Sequence, residues 1–233
     1  SIREKLISKG RTYREENSWI ENARLSNDKD PFHCVITKNS ANEESGFLSV
    51  DEMTFEEESW NIPIDLKIPR QADAIAEVAE PLLYISSRIS LVDRNFRFFA
   101  YQIDPILKLY SKATSGTPIS TVMFHISTGL KDDLGTPNDF KIKCREFAKK
   151  LNLSPSQHFV FIRWKKSPKG EKLHARYVLT DKGGISFDHG LDEGKSGETT
   201  DVKLLGRELW EQRWNQYQLN SNVLGFRDAW ILE

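Results

Sequence analysis

The sequence predicts an α/β fold, with a largely parallel or mixed sheet flanked by helices. Two observations carry that reading. Apolar residues recur at helical spacing over residues 72–85, 98–113 and 136–151, and between them lie short apolar runs rich in β-branched and aromatic residues at 88–93, 119–126 and 158–164. Strand, helix, strand, helix, strand in that order predicts parallel neighbours joined by right-handed crossovers.

The elements follow in chain order. Residues 1–30 are polar and charged, with apolar side chains at Ile2, Leu6, Ile7, Trp19, Ile20 and Ala23, the pattern of one or two helices. Residues 32–37 read as a short strand, ended by Asn39-Ser40-Ala41-Asn42. Between Asp51 and Glu58 five carboxylates fall within eight residues, either a solvated face or a partner surface. Residues 1–60 are therefore expected to be an N-terminal extension packed on a main body formed by residues 61–233.

In the main body, Ala72, Ile75, Ala76, Val78, Ala79 and Leu82 form one helical stripe, whose last turn Pro81 complicates. The run 88–93 is a strand with a polar end, Asp93, which either caps the next helix or orients a site residue. Phe99, Ile103, Ile106, Leu107 and Tyr110 mark that helix, and Ser115-Gly116-Thr117-Pro118 stops it. Thr136-Pro137-Asn138-Asp139 is a helix start: Thr as cap, Pro at the first helical position, and a carboxylate three residues after the cap. Two strands, 158–164 and 175–180, flank a basic turn at 165–172. A last helix is expected over residues 202–218, with Trp210, Trp214 and Tyr217 turned to the core.

Composition narrows the function. With 233 residues, 38% apolar and 29% charged, the chain can bury a core, and Cys34 and Cys144 are too few and too far apart for a disulfide framework or a cysteine zinc site. Both read as buried small apolar residues. The formal net charge is −1, so any preference for anions must come from local clustering. No apolar run is long enough to span a membrane, and Ser1-Ile2-Arg3-Glu4-Lys5 lacks the core of a signal peptide, which reads as a cytoplasmic protein. Serine and cysteine nucleophile motifs, a Gly-Lys-Ser phosphate loop and a dinucleotide fingerprint are absent.

Chemistry concentrates in Leu173 to Asp192, LHARYVLTDKGGISFDHGLD. His174 and Arg176 stand two apart on a predicted strand and so share a face. Asp181 follows, and the three are expected to converge on a phosphate. The cations Arg163, Lys165, Lys166, Lys169, Lys172 and Arg176 face the single acid Glu171, with Trp164 and Tyr177 interleaved as stacking surfaces. Arg163, Lys165, Lys166 and Gly190 are the expected phosphate contacts. Asp188 and Asp192 have no third carboxylate at a recognised spacing, so neither metal nor cofactor is expected.

His174-x-Arg176-x-x-x-x-Asp181 resembles the His-x-Lys-x-x-x-x-Asp signature of the phospholipase D superfamily. Gly183-Gly184, Gly190-Leu191-Asp192 and Glu198-Thr199-Thr200 are similar to the phospholipase D-like C-terminal domain of microtubule-interacting and trafficking proteins. Ile89-Ser90-Leu91-Val92-Asp93 with Phe96 looks like an earlier strand of the superfamily. The resemblance implies a phospholipase D-like fold and a site in which His174 attacks phosphorus while cations hold the non-bridging oxygens without a metal. It makes His174, Arg176 and Asp181 the catalytic candidates of a phosphodiesterase or nuclease. A full site needs a second imidazole, from a homodimer or from His125. Here Arg stands where the signature has Lys. The implied partner is nucleic acid, the protein acting as a metal-independent nuclease or a nuclease-derived binding subunit, as a homodimer or a subunit of a larger complex. The subgroup itself implies an alternative, a non-catalytic module for acidic phospholipid headgroups or a protein partner.

Overall fold

The apolar runs become the centre of one eight-stranded sheet. In the computed structural model, which describes residues 10–32, 34–38, 47–50, 64–116, 118–127, 135–165, 173, 176–219, 221 and 225–232, the chain forms two compact units, Ser1–Ile62 and Pro63–Glu233. In the first, α1 (Trp19–Asn27) is started by a capping box: the Ser18 side chain accepts from the Glu21 amide and Glu21 accepts from the Ser18 amide. Arg11 stacks 3.9 Å over the Phe32 ring and bonds Asp30 and Ser26. Two short strands, β1 (Val35–Thr37) and β2 (Phe47–Ser49), pair in parallel. The acidic run 51–58 lies outside the described residues.

The second unit runs β3 (Asp65–Pro69), α2 (Ala72–Tyr84), β4 (Arg88–Asp93), α3 (Ala100–Thr114), β5 (Thr121–Ser127), α4 (Pro137–Ala148), β6 (His158–Lys165), β7 (Arg176–Thr180), β8 (Gly184–Phe187), β9 (Thr199–Leu204), α5 (Arg207–Gln216) and β10 (Gly225–Leu232). The sheet order is β10-β6-β5-β4-β7-β8-β9-β3. Only β4 with β5 and β5 with β6 pair in parallel, and every other ladder is antiparallel. The sheet is therefore mixed. Tight turns such as 181–183 return the chain at once and so dictate antiparallel neighbours, whereas α3 and α4 are the crossovers that parallel pairs require.

Both faces are covered, which is why β4, β5 and β6 read as unbroken apolar runs. One face packs Ile89, Leu91, Phe124, Phe159, Phe161 and Val178 against α2, α3 and α4. The other gathers Val92, Met123, Val160, Ile162, Trp164, Tyr177 and Leu179 with Tyr217, while Trp210 and Trp214 of α5 close over them. Gly184 is required there, because a Cβ would stand 2.8 Å from Leu179 and 3.1 Å from Trp210. Cys144 is buried as expected, and Cys34 is half-buried.

The predicted helix start at Thr136 is present: its hydroxyl accepts from the Asp139 amide while Asp139 accepts from the Thr136 amide. The expected helix over 202–218 is corrected. Val202 and Leu204 belong to β9 and the helix starts only at Arg207. The apolar spacing of Leu204, Leu205 and Leu209 imitates a helix, but pairing of β9 with both β8 and β3 gives the first residues a ladder instead.

Candidate phosphate site

Strand polarity places the site. Strands β4, β5 and β6 all finish at one end of the sheet, and β7 begins there because it runs antiparallel to β4. Arg176 is thereby the direct ladder partner of Asp93. The carboxyl ends of parallel strands are where open α/β sheets place ligands. Glu193 receives the Ala72 amide at the start of α2, so this helix also begins at that end.

Asp93 is buried and accepts the amides of Asn95 at 2.8 Å and Leu191 at 2.7 Å. It thus ties the β4–α3 connection to the segment after β8 and does not cap α3, whose cap is Phe99. Burial pushes its carboxyl above the usual range, against the pull of those amides. Gly190 is needed at this junction, since a Cβ would sit 2.2 Å from Asp192 Oδ1 and 3.0 Å from Asp93 Oδ2. Its role is close packing of two acids, where a phosphate contact was expected. Asp192 in turn receives Arg70 at 2.8 Å, and Arg70 also reaches Glu198 at 3.1 Å. The segment 188–198 is therefore pinned from several sides.

Arg176 is half-buried. Its Nη1 donates to the Asp188 carbonyl at 3.0 Å, and its Nε is buried without a partner among the described residues. A half-buried guanidinium oriented through Nη1 still has donors in its fork with which to hold an anion. His174 and Lys166 lie outside the described residues, as do Lys169, Glu171 and Lys172.

Other expected site residues are placed elsewhere. Asp181 sits at the opposite end of the sheet from Arg176, because a five-residue extended strand at about 3.3 Å per residue separates them. There its carboxylate accepts from the amides of Ser87 at 3.0 Å and Arg88 at 3.3 Å and from the Ser87 hydroxyl at 3.2 Å. Burial raises its pKa, but the Lys182 ammonium and those amides outweigh it and hold the carboxyl below the usual range. Asp181 splices β7 to the start of β4 and does not converge with Arg176.

Arg163 is fully buried on the α4 side. It forms a two-pronged ion pair with Asp228 of β10, with Nε at 2.7 Å from Oδ1, and its guanidinium lies 4.1 Å from the centre of the Phe140 ring. The expected phosphate contact is an internal charge pair. Lys165, the last residue of β6, is exposed. Trp164 and Tyr177, expected as stacking surfaces, are buried on the α5 side. Strand alternation that aims Arg163 and Arg176 at one face necessarily aims their neighbours at the other.

His125 also fails as the second imidazole. It lies on the α5 face, fully buried, stacked at 5.9 Å on Trp164 and accepting the Trp164 Nε1 proton at Nδ1. Arg176 shares its parity with Val178, on the other face. Burial lowers the His125 pKa to about 3, so the ring is neutral. Among the described residues no three or more of His, Cys, Asp and Glu cluster as a metal-binding group would, and no helix is long and apolar enough to cross a membrane.

Cations interleaved with aromatics draw attention to residues 165–177, but a second stretch has the same character. Arg94, Phe96, Arg97, Phe98 and Phe99 alternate these two chemistries at the carboxyl end of β4. That signal was present in the sequence and belongs to the connection that Asp93 anchors.

No protein-family model matches the sequence, and no curated protein does. One solved structure to which the chain is similar is that of TrmBL2, an archaeal chromatin protein whose structure shows a novel mode of DNA binding. The identity is 11% and the TM-score 0.36, over 75% of this chain and 57% of that one.

Proposed function

We propose that this is a phospholipase D-like protein that engages a phosphodiester of nucleic acid at the end of the sheet where Arg176 enters β7. The observation that carries the reading is the state of Arg176: half-buried, fixed by the Asp188 carbonyl, placed opposite Asp93 at the carboxyl end of the parallel strands, with a buried Nε that has no partner among the described residues.

In this reading Arg176 holds non-bridging oxygens, and His174, two positions earlier, addresses phosphorus. Asp181 contributes by fixing β7 against β4, away from the reacting atoms. A nuclease reaction would need a second imidazole, which His125 cannot supply because it faces away; without one, the site binds and does not cleave. The test is binding of a labelled oligonucleotide as salt is varied. Wild-type protein should lose affinity steeply with salt, and Arg176→Ala should bind more weakly with a shallower slope. Salt-independent binding, or an unchanged Arg176→Ala profile, overturns the reading.

A further inference from the structure

A cleft of about 330 Å3 opens between the start of α3 and the outer side of α4, lined by Arg97, Phe98, Phe99, Lys143, Glu146 and Lys150 among others. Three cations meet one acid there, against a net charge of −1 for the whole chain, and one of them, Arg97, is anchored by Nη1 donating to the Arg94 and Phe96 carbonyls at 3.1 and 2.7 Å. Its floor is aromatic. The acid one turn from Lys143, Asp139, is already engaged by the Thr136 amide and hydroxyl at 2.8 and 2.7 Å.

The backbone is held for this arrangement. Phe98 has φ 64°, the left-handed region, which is strained for a bulky residue. Its ring enters the core, edge-on to Phe96 at 4.8 Å and to Phe140 at 5.8 Å, and the reversal turns Phe99 outward. The buried side chain of Gln102 fixes the loop by accepting the Arg97 amide at 2.7 Å and donating to the Asn95 carbonyl at 3.0 Å. Phe99 is 54% exposed and lies nearly parallel to Tyr101, itself 47% exposed, with ring centres 5.7 Å apart and 12° between planes. An exposed flat ring pair beside a cationic cleft matches a ligand that alternates aromatic rings with negative charges.

We propose that this cleft binds single-stranded nucleic acid, a base stacking on Phe99 and the adjoining phosphates lying along Arg97, Lys143 and Lys150. The inference rests on the phosphodiester reading above, because the connection 94–99 that shapes the cleft starts at Asp93, the ladder partner of Arg176. Single strands are favoured over duplex because only an unpaired base offers a free face. A membrane headgroup would use the cations and leave the ring pair idle.

The experiment measures full-length protein binding to labelled oligothymidylate by anisotropy, with the corresponding duplex and phosphatidylserine vesicles as competitors. Phe99→Ala should weaken single-strand binding roughly 5- to 150-fold, the loss of one stacked base, and Phe99→Trp should restore it. Lys143→Ala with Lys150→Ala should reduce the salt slope by about 0.7 for each phosphate no longer neutralised. If these variants bind like wild type while Arg176→Ala binds weakly, the cleft proposal falls and the phosphodiester reading stands. If they bind weakly while Arg176→Ala is unaffected, the Arg176 reading falls and the cleft remains. Duplex or vesicles outcompeting the single strand, or no oligonucleotide binding at low salt, overturns the cleft.

Discussion

Trp164 Nε1 donates to His125 Nδ1 at 3.0 Å, across neighbouring strands and with both rings out of solvent. The proton on Trp164 needs an acceptor, so the imidazole must keep Nδ1 bare, and burial enforces the neutral form with a pKa of about 3. The sign of the consequence is fixed by the depression. An unfolded histidine takes a proton near pH 6.5 while the folded one does not, so His125 costs nothing above that pH. Below it, this residue should remove about 1.4 kcal/mol of stability per pH unit until about pH 3. Urea unfolding of wild type and His125→Gln at several pH values checks this. The difference between them should be flat above pH 7 and shift against the wild type on acidification; a constant difference down to pH 4 would refute it.

Asp181 accepts two amides and a hydroxyl from Ser87 and Arg88. Asp181→Ala leaves those donors without their acceptor and should cost about 1–3 kcal/mol. Its folded pKa is depressed, so its contribution should be complete above the unfolded value near pH 4 and fade as pH falls through the folded one. Anion binding at Arg176 should persist in the variant under conditions where it is folded. Loss of binding at full stability would instead put Asp181 in the site.

How far the sequence discloses this molecule follows from what each feature depends on. The Thr136 box and the strand beginning at Arg88 are local, set by spacing within a few residues, and both are where the pattern puts them. Strands β3 and β10 are the sheet's two edges, and most of their residues are partly or fully exposed, so no clean alternation announces them. The site is similar. Arg176 shares the parity of Val178 on the α2–α4 face, yet its meeting with Asp93 depends on a ladder between residues more than 80 positions apart. The same non-locality misled the reading of Arg163, whose partner Asp228 lies on β10. A basic residue in a cationic run looks like surface until the strand beside it supplies a carboxylate.

That buried pair yields a third expectation. Asp228→Ala removes the carboxylate from a guanidinium that is fully out of solvent, and breaking such a pair from one side costs about 3–5 kcal/mol. Arg163→Met, which removes the buried charge and keeps apolar bulk against Phe140, should cost less than Asp228→Ala. Chemical denaturation of both variants decides it. If Arg163→Met stays folded and loses oligonucleotide binding as Arg176→Ala does, Arg163 acts as a phosphate contact after all.

The final expectation concerns His174 and chemistry. A nuclease of the phospholipase D type needs an imidazole to attack phosphorus; His125 is sealed on the opposite face, and Asp181 is at the opposite end of the sheet. If the protein cleaves a phosphodiester, His174→Ala should abolish turnover while leaving salt-dependent binding through Arg176 largely in place. Cleavage should also survive EDTA, since imidazole and cations do what a metal would do elsewhere. Arg176→Lys, which keeps the charge but loses the guanidinium fork, should weaken binding less than Arg176→Ala. Single-turnover cleavage and anisotropy on the same variants separate these effects. Residual cleavage in His174→Ala, or inactivation by EDTA, would rule the phosphohistidine route out. Absence of cleavage by wild type on single-stranded and duplex substrates, with binding intact, would leave a protein that uses the Arg176 end of the sheet to hold nucleic acid only.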